Sequence, residues 1–246
     1  MSGRNPRRIA PMVSCALVLA GAAGSALAVN VVYQNDFESG ATSGWSIGRT
    51  SMTPTERGFL GEFGNEEPTL NLHGLGAHTQ VTLTFDLYLI RSWDGNYSYP
   101  GVGPDVWAAG YNSSETLKNT LIHTTFANQP QGSIWDRPQA YPSATGEAFP
   151  GSVGLTDHAM YSGAMEINSL GYMFSGFFES SVYHMAFTFS HSDPSLSLWF
   201  HGAGLQDISD ESWGLDNVRV ETNAVPAPGV LALAGAGLGL LSRRRR

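Results

Sequence analysis

The carboxylates carry most of the chemistry this sequence can offer. Asp94 and Asp105 lie in a glycine-rich stretch, and Asp207, Asp210 and Glu211 form a second acidic cluster. Hard oxygen donors of this kind suit Ca2+, which takes six to eight oxygens at about 2.3–2.6 Å from carboxylates and backbone carbonyls. The competing reading is solvated carboxylates and Asp side chains that cap turns, which are ordinary in loops. The sequence has no EF-hand spacing.

Aromatic side chains are the second resource. All six tryptophans, at positions 45, 93, 107, 135, 199 and 213, lie between the two chain ends. Aromatic rings offer broad contact area at low entropic cost, which suits the flat C–H faces of sugars. Trp93, Tyr97 and Trp135 fall in predicted loops and are the candidate ligand-binding residues, because a sandwich presents its ligands there. Core filling is the alternative, and it accounts for Trp45, Trp199 and Trp213.

Enzyme signatures are missing. No Gly-x-Ser-x-Gly elbow, His-Glu-x-x-His zinc motif or phosphate-binding glycine loop occurs. The seven histidines show no metal-ligand spacing, and His184 alternates with apolar residues, as expected on the solvent face of a strand. A glycosidase needs only two carboxylates about 5–9.5 Å apart. Nothing among 21 acidic residues singles out such a pair.

Charge excludes another class. The formal net charge is −8, but Arg4, Arg7 and Arg8 open the chain and Arg243, Arg244, Arg245 and Arg246 close it. Between Val29 and Ala224 only six basic residues stand against all 21 acidic ones, a balance of −15. Such a body repels nucleic acid, whose binding relies on neutralised phosphates. It attracts cations instead.

The elements that must position these residues read as strands. Val81, Leu83, Phe85, Leu87 and Leu89 alternate with Thr82, Thr84, Asp86 and Tyr88, a period of two with one apolar face. Tyr183, Met185, Phe187 and Phe189 repeat the pattern, as do Leu196, Leu198 and Phe200. Further strands are expected over residues 30–34, 59–63, 69–73, 106–111, 120–126 and 215–221. Residues 159–170 have room for a turn or two of helix. Residues 127–154, with four prolines, read as a long loop. Gly (29) and Pro (13) supply the many turns of an all-β, jelly-roll-like sandwich in one domain, residues 29–224.

Both ends read as addresses. Residues 1–28 have a basic start, an apolar run and the small-x-small pattern Ala26-Leu27-Ala28, the anatomy of a signal cleaved by signal peptidase. The single cysteine, Cys15, lies in this run, so a mature chain would carry no disulfide. At the other end, Val225, Pro226, Ala227 and Pro228 precede an apolar stretch from Val230 to Leu241 and the four arginines. Twelve helical residues span about 18 Å, short of a bilayer core of about 30 Å. The arginines mark the cytoplasmic side of a transient membrane insertion.

This tripartite tail, residues 225–246, resembles the PEP-CTERM sorting signal, also catalogued as the ice-binding protein C-terminal domain. The namesake Glu is replaced by Ala227. The resemblance implies an exosortase as processing partner, a Gram-negative-type envelope and association with exopolysaccharide.

The body carries a second resemblance. Residues 35–40 (Asn-Asp-Phe-Glu-Ser-Gly) and 211–220 (Glu-Ser-Trp-Gly-Leu-Asp-Asn-Val-Arg-Val) are similar to the two ends of galactose-binding-like or concanavalin-like jelly rolls. Such folds pair their first and last strands. That pairing implies that Asp36 and Glu38 come near Asp216, a further candidate metal site beside Asp94 and Asp105.

The reading that follows is an exported, surface-sorted, non-enzymatic sandwich that binds extracellular polysaccharide. The alternatives are a secreted glycan-active enzyme on the same fold and a purely structural matrix protein.

Overall fold

The computed structural model describes residues 29–97, 101–114, 117–128, 137–142, 158–223 and 225. Thirteen strands follow one another: β1 (Val29–Asn35), β2 (Thr50–Met52), β3 (Gly58–Phe63), β4 (Thr69–His73), β5 (Gln80–Arg91), β6 (Val106–Ser114), β7 (Leu117–Thr125), β8 (Glu166–Ile167), β9 (Met173–Phe174), β10 (Phe177–Phe178), β11 (Ser180–Ser190), β12 (Ser195–Ala203) and β13 (Glu211–Asn223). No helix occurs among the described residues.

Eleven of these strands form a sandwich of two antiparallel sheets, and β9 and β10 pair as a separate hairpin. The larger has the order β2-β3-β13-β5-β11-β8, with β1 also paired to β13; the smaller has the order β4-β12-β6-β7. The 13-residue β13 organises the larger sheet. Along one edge its first half meets β3 and its second half meets β1, and its other edge meets β5. First and last strands therefore pair, with Val29 opposite Asn223 and Asn35 opposite Val218.

Alternation along the strands builds the core. Val81, Leu83, Phe85, Leu87 and Leu89 of β5 are all fully buried between the sheets, as are Leu198 and Phe200 of β12. Aromatic rings bridge the layers: Phe85 meets Phe200 edge-on at 5.4 Å, and Trp107 meets Trp213 edge-on at 5.9 Å. Each such contact adds about 0.5–1.5 kcal/mol to the area it buries. A second, smaller cluster covers the outer face of the large sheet, where Phe59, Tyr88, Ile90, Leu170, Tyr172 and Val182 pack together. That cover explains why Tyr88 and Ile90, on the polar side of the alternation, are also buried.

The turn or two of helix expected over residues 159–170 is not formed. Single hydrogen-bonded turns at Ser162 and Ala164 lead into the two-residue β8. Tyr161, Gly163 and Asn168 all take positive φ, which no right-handed helix tolerates.

Candidate functional site

Three carboxylates meet where the end of β5, the start of β6 and the start of β13 come together. Register brings them there, since Glu211 of β13 stands opposite Arg91 of β5. Beyond Arg91 the chain turns inward at a positive φ of 68°. The Trp93 indole enters the core and donates from Nε1 to the Ser212 carbonyl at 2.9 Å. The next residue, Asp94, is thereby held against β13. Gly95 continues at φ 62°, so close to the neighbouring loop that a Cβ there would lie 2.3 Å from the Pro138 carbonyl oxygen. The Asp105 N–H then donates to the Gly95 carbonyl at 3.0 Å, closing the loop.

Asp94, Asp105 and Glu211 each place one carboxylate oxygen within 4.8 Å of the others. All three are buried, with Asp105 and Glu211 fully enclosed. The Asp94 N–H donates to Oδ2 of Asp105, and the Gln206 N–H donates to Oε2 of Glu211 at 2.8 Å. Among the described residues the other oxygens of the pair, Asp105 Oδ1 and Glu211 Oε1, have no hydrogen-bond partner, and neither does Oε2 of buried Glu179. Among the described residues Arg137 attends the group: it pairs with Oδ1 of Asp94 and lies 4.9 Å above the Tyr97 ring.

Burial dominates the electrostatics here. It pushes the Asp105 carboxyl well above the usual range, and the adjacent Glu211 pushes it further. Glu211 is raised for the same first reason. Glu179 is pushed up to about 7, by burial and then by the charge of Asp210. Burial also lowers Arg137. Two enclosed carboxylates this close must share either a proton or a cation. A catalytic dyad also needs access to its substrate, and neither member of this pair has any exposed surface.

The terminal-strand carboxylates behave differently. The β1–β13 pairing does bring Glu38 close enough to Asp216 for its charge to be felt there. Protein donors already answer these groups, however. Oδ2 of Asp216 accepts from the Tyr88 hydroxyl at 2.7 Å, and its Oδ1 accepts from the Asn217 N–H at 2.6 Å. Oε1 of Glu38 accepts from the Gly58 N–H at 3.0 Å. Oδ1 of exposed Asp36 accepts from the Glu38 N–H at 3.3 Å in a local turn. Asp207 caps a turn through the Ser209 N–H, and Asp210 accepts from the Ser92 hydroxyl at 2.6 Å.

Trp93 is not a ligand platform. Its ring is fully buried in the main core, because the hydrogen bond to Ser212 draws it inward where the strand alternation ends. Tyr97 is 38% exposed and carries the Arg137 guanidinium on its face. Trp135, the cleavage residues Ala26 and Ala28, and the tail residues Pro226, Pro228 and Arg243–Arg246 lie outside the described residues; Val225 is described and exposed. Among the described residues no helix is long and apolar enough to cross a membrane.

A groove of about 580 Å3 on the outer face of the smaller sheet was not anticipated from the motifs. Asn71 and His73 of β4, Asn112 of β6, Ser195 and Ser197 of β12, and Asp193 in the preceding turn line it. Ser197 stands opposite both Asn71 and Asn112, so three hydrogen-bonding side chains form a row across three strands. The Ser197 hydroxyl donates to Oδ1 of Asn71 at 2.9 Å, while Oδ1 of Asn112 is buried with no partner. The signal in the sequence was the polar half of an alternation: Ser195 and Ser197 interleave with Leu196 and Leu198. On the same face Lys118 lies 5.0 Å above the Trp199 ring.

No protein-family model and no curated protein matches this sequence. Among solved structures, the chain is similar to a carbohydrate-binding module studied for specific mannan recognition. The two share 17% identity, the match covers 80% of this chain and 99% of that one, and the TM-score is 0.31.

Proposed function

We propose that this chain is an exported, non-enzymatic β-sandwich module that binds polysaccharide through the outer face of its smaller sheet. The row Asn71–Ser197–Asn112 carries the reading. Amide and hydroxyl groups both donate and accept, as sugar hydroxyls do, and strands hold them more rigidly than loops. His73 and Ser195 extend the row along β4 and β12. The acidic body favours a neutral or cation-bridged polymer over an anionic one.

The chain ends support delivery to such a polymer. In this reading signal peptidase removes residues 1–28, the tail inserts transiently in the membrane, and an exosortase processes it. The module is then released to the envelope surface or extracellular matrix of a Gram-negative-type bacterium. Mass spectrometry of exported material tests this part: an intact Arg243–Arg246 end would count against processing.

Affinity electrophoresis in gels containing neutral polysaccharides, alongside a glycan array, tests binding. Retardation that is weakened in Asn71→Ala and Asn112→Ala is expected. No retardation by any glycan, with calcium present, would favour the structural matrix role. Release of reducing sugar would replace the binding reading with the enzymatic one.

A further inference from the structure

We infer that Asp94, Asp105 and Glu211 hold a divalent cation of the calcium type at the junction of β5, β6 and β13. The site is separate from the polar groove, and its fate does not depend on the glycan reading.

Geometry comes first. One oxygen from each of three side chains lies within 4.8 Å of the others, the spread that ligands around a single ion adopt when each sits about 2.3–2.6 Å from it. The donors come from three separate stretches of chain, so an ion there would tie the end of one strand to the beginnings of two others. No His or Cys is in the group, and an all-oxygen set selects a hard cation over zinc or copper.

Independent observations show that something is owed to these oxygens. Asp105 is fully buried, and its Oδ1 meets no donor among the described residues. Oε1 of Glu211 is in the same position. A buried polar atom left without a partner is unfavourable, and more so when it is charged. Two such atoms side by side in a folded core mark a missing partner, because native interiors answer nearly all such groups. Arg137 supplies a single positive charge, directed at Asp94. Its charge also reaches Glu211, but Asp210 and Glu179 add negative charge around it, so one guanidinium faces more carboxylates than it can neutralise. A divalent ion between Asp105 and Glu211 would neutralise both.

The terminal-strand carboxylates provide an internal contrast. Oε1 of Glu38 accepts from a backbone N–H, and both oxygens of Asp216 accept, from the Tyr88 hydroxyl and the Asn217 N–H.

The test uses the full-length chain, stripped with EGTA and titrated with CaCl2 alone. A rise in melting temperature of several degrees is expected. Terbium added in place of calcium should luminesce on tryptophan excitation, because Trp93 directly precedes Asp94, and calcium should quench that signal by displacement. Asp105→Asn and Glu211→Gln should abolish both responses, and Glu38→Gln should leave them intact. No melting shift at millimolar calcium together with no terbium signal in the unmodified chain overturns the inference. So does a shift that survives Glu211→Gln, or one that is lost in Glu38→Gln. If the cluster variants fail to fold, calcium-competed terbium luminescence of the unmodified chain, sensitised at the buried Trp93, decides the question.

Discussion

Asp105 and Glu211 face each other in the interior, and neither presents its free oxygen to any donor. Asp105 immediately precedes β6 of the smaller sheet, and Glu211 opens β13 of the larger. A like-charged pair in this position is unfavourable unless a proton or a cation sits between its members. The cation-free protein should therefore gain stability from either neutral isostere. Asp105→Asn, or Glu211→Gln with its acceptor to the Gln206 N–H retained, should raise the EGTA-treated melting temperature at pH 8 by about 2–4 °C, the size of a change of about 1 kcal/mol in a domain of this length. Calorimetry in EGTA checks it, and a fall in both variants would show that the pair stabilises the fold on its own.

Asp216 makes a pH-dependent contribution of definite sign. Burial raises its carboxyl to about 6, and the charges of Asp86 and Glu38 add to the effect. The group is thus protonated in the folded chain and ionised in the unfolded one between about pH 4 and pH 6. Stability falls as pH rises through that window, and the loss is complete above the folded value. The Tyr88 hydroxyl donates to Asp216 and Asn217 donates to Asp86, while Arg57 carries the nearest positive charge to Tyr88 and His184 pairs with Asp86 on the exposed face. Asp216→Asn, which still accepts from Tyr88, should flatten the decline between pH 4 and pH 6. Urea midpoints measured across this range check it, and an unchanged slope would mean that another group carries the transition.

Much of the fold was legible because one physical signal, alternation between a buried and a solvated face, runs through the long strands. Residues 81–89 and 183–189 reveal their inward faces directly, and the structure seats them opposite each other, with Met185 across from Phe85. The carboxylate cluster was only half legible. Asp94 and Asp105 stood out together, and Glu211 stood out in a separate run, but only the β5–β13 register joins them. Trp93 was misplaced because a positive φ at Arg91 ends the alternation, and beyond that point spacing no longer reports direction. The groove was hidden because serine and asparagine on the polar face of a strand look the same whether they meet water or a ligand.

Trp93 allows the core and ligand roles to be separated. Trp93→Phe keeps an aromatic ring in the core but removes the hydrogen bond to the Ser212 carbonyl. Losing that buried hydrogen bond should cost about 0.5–1.5 kcal/mol. Urea denaturation should show the loss while polysaccharide retardation stays unchanged. Weakened retardation at full stability would return Trp93 to the ligand.

Trp107→Ala should be far more damaging. Its ring touches Phe85, Phe200 and Trp213, and so joins the two sheets at the centre of the core. Truncation of a buried tryptophan costs about 3–5 kcal/mol, which approaches the whole stability of many domains. The urea midpoint should fall steeply or folding should fail outright; a change below about 1 kcal/mol would mean that the core closes over the cavity.

Asn112 offers the sharpest test of the groove. Its Oδ1 is buried without a protein partner, at the end of the row that Asn71 and Ser197 begin. Asn112→Asp keeps the shape and the Oδ1 acceptor but replaces the amide donor with a second acceptor and adds negative charge to an already acidic body. If the row reads sugar hydroxyls, this variant should bind neutral polysaccharide at least tenfold more weakly, a change of about 1.4 kcal/mol. Asn112→Ala should weaken binding less, because it loses the hydrogen bonds without adding charge. Affinity electrophoresis at several polysaccharide concentrations yields both dissociation constants. Equal binding by the two variants and the unmodified chain would remove the outer face of the smaller sheet from consideration as the glycan site.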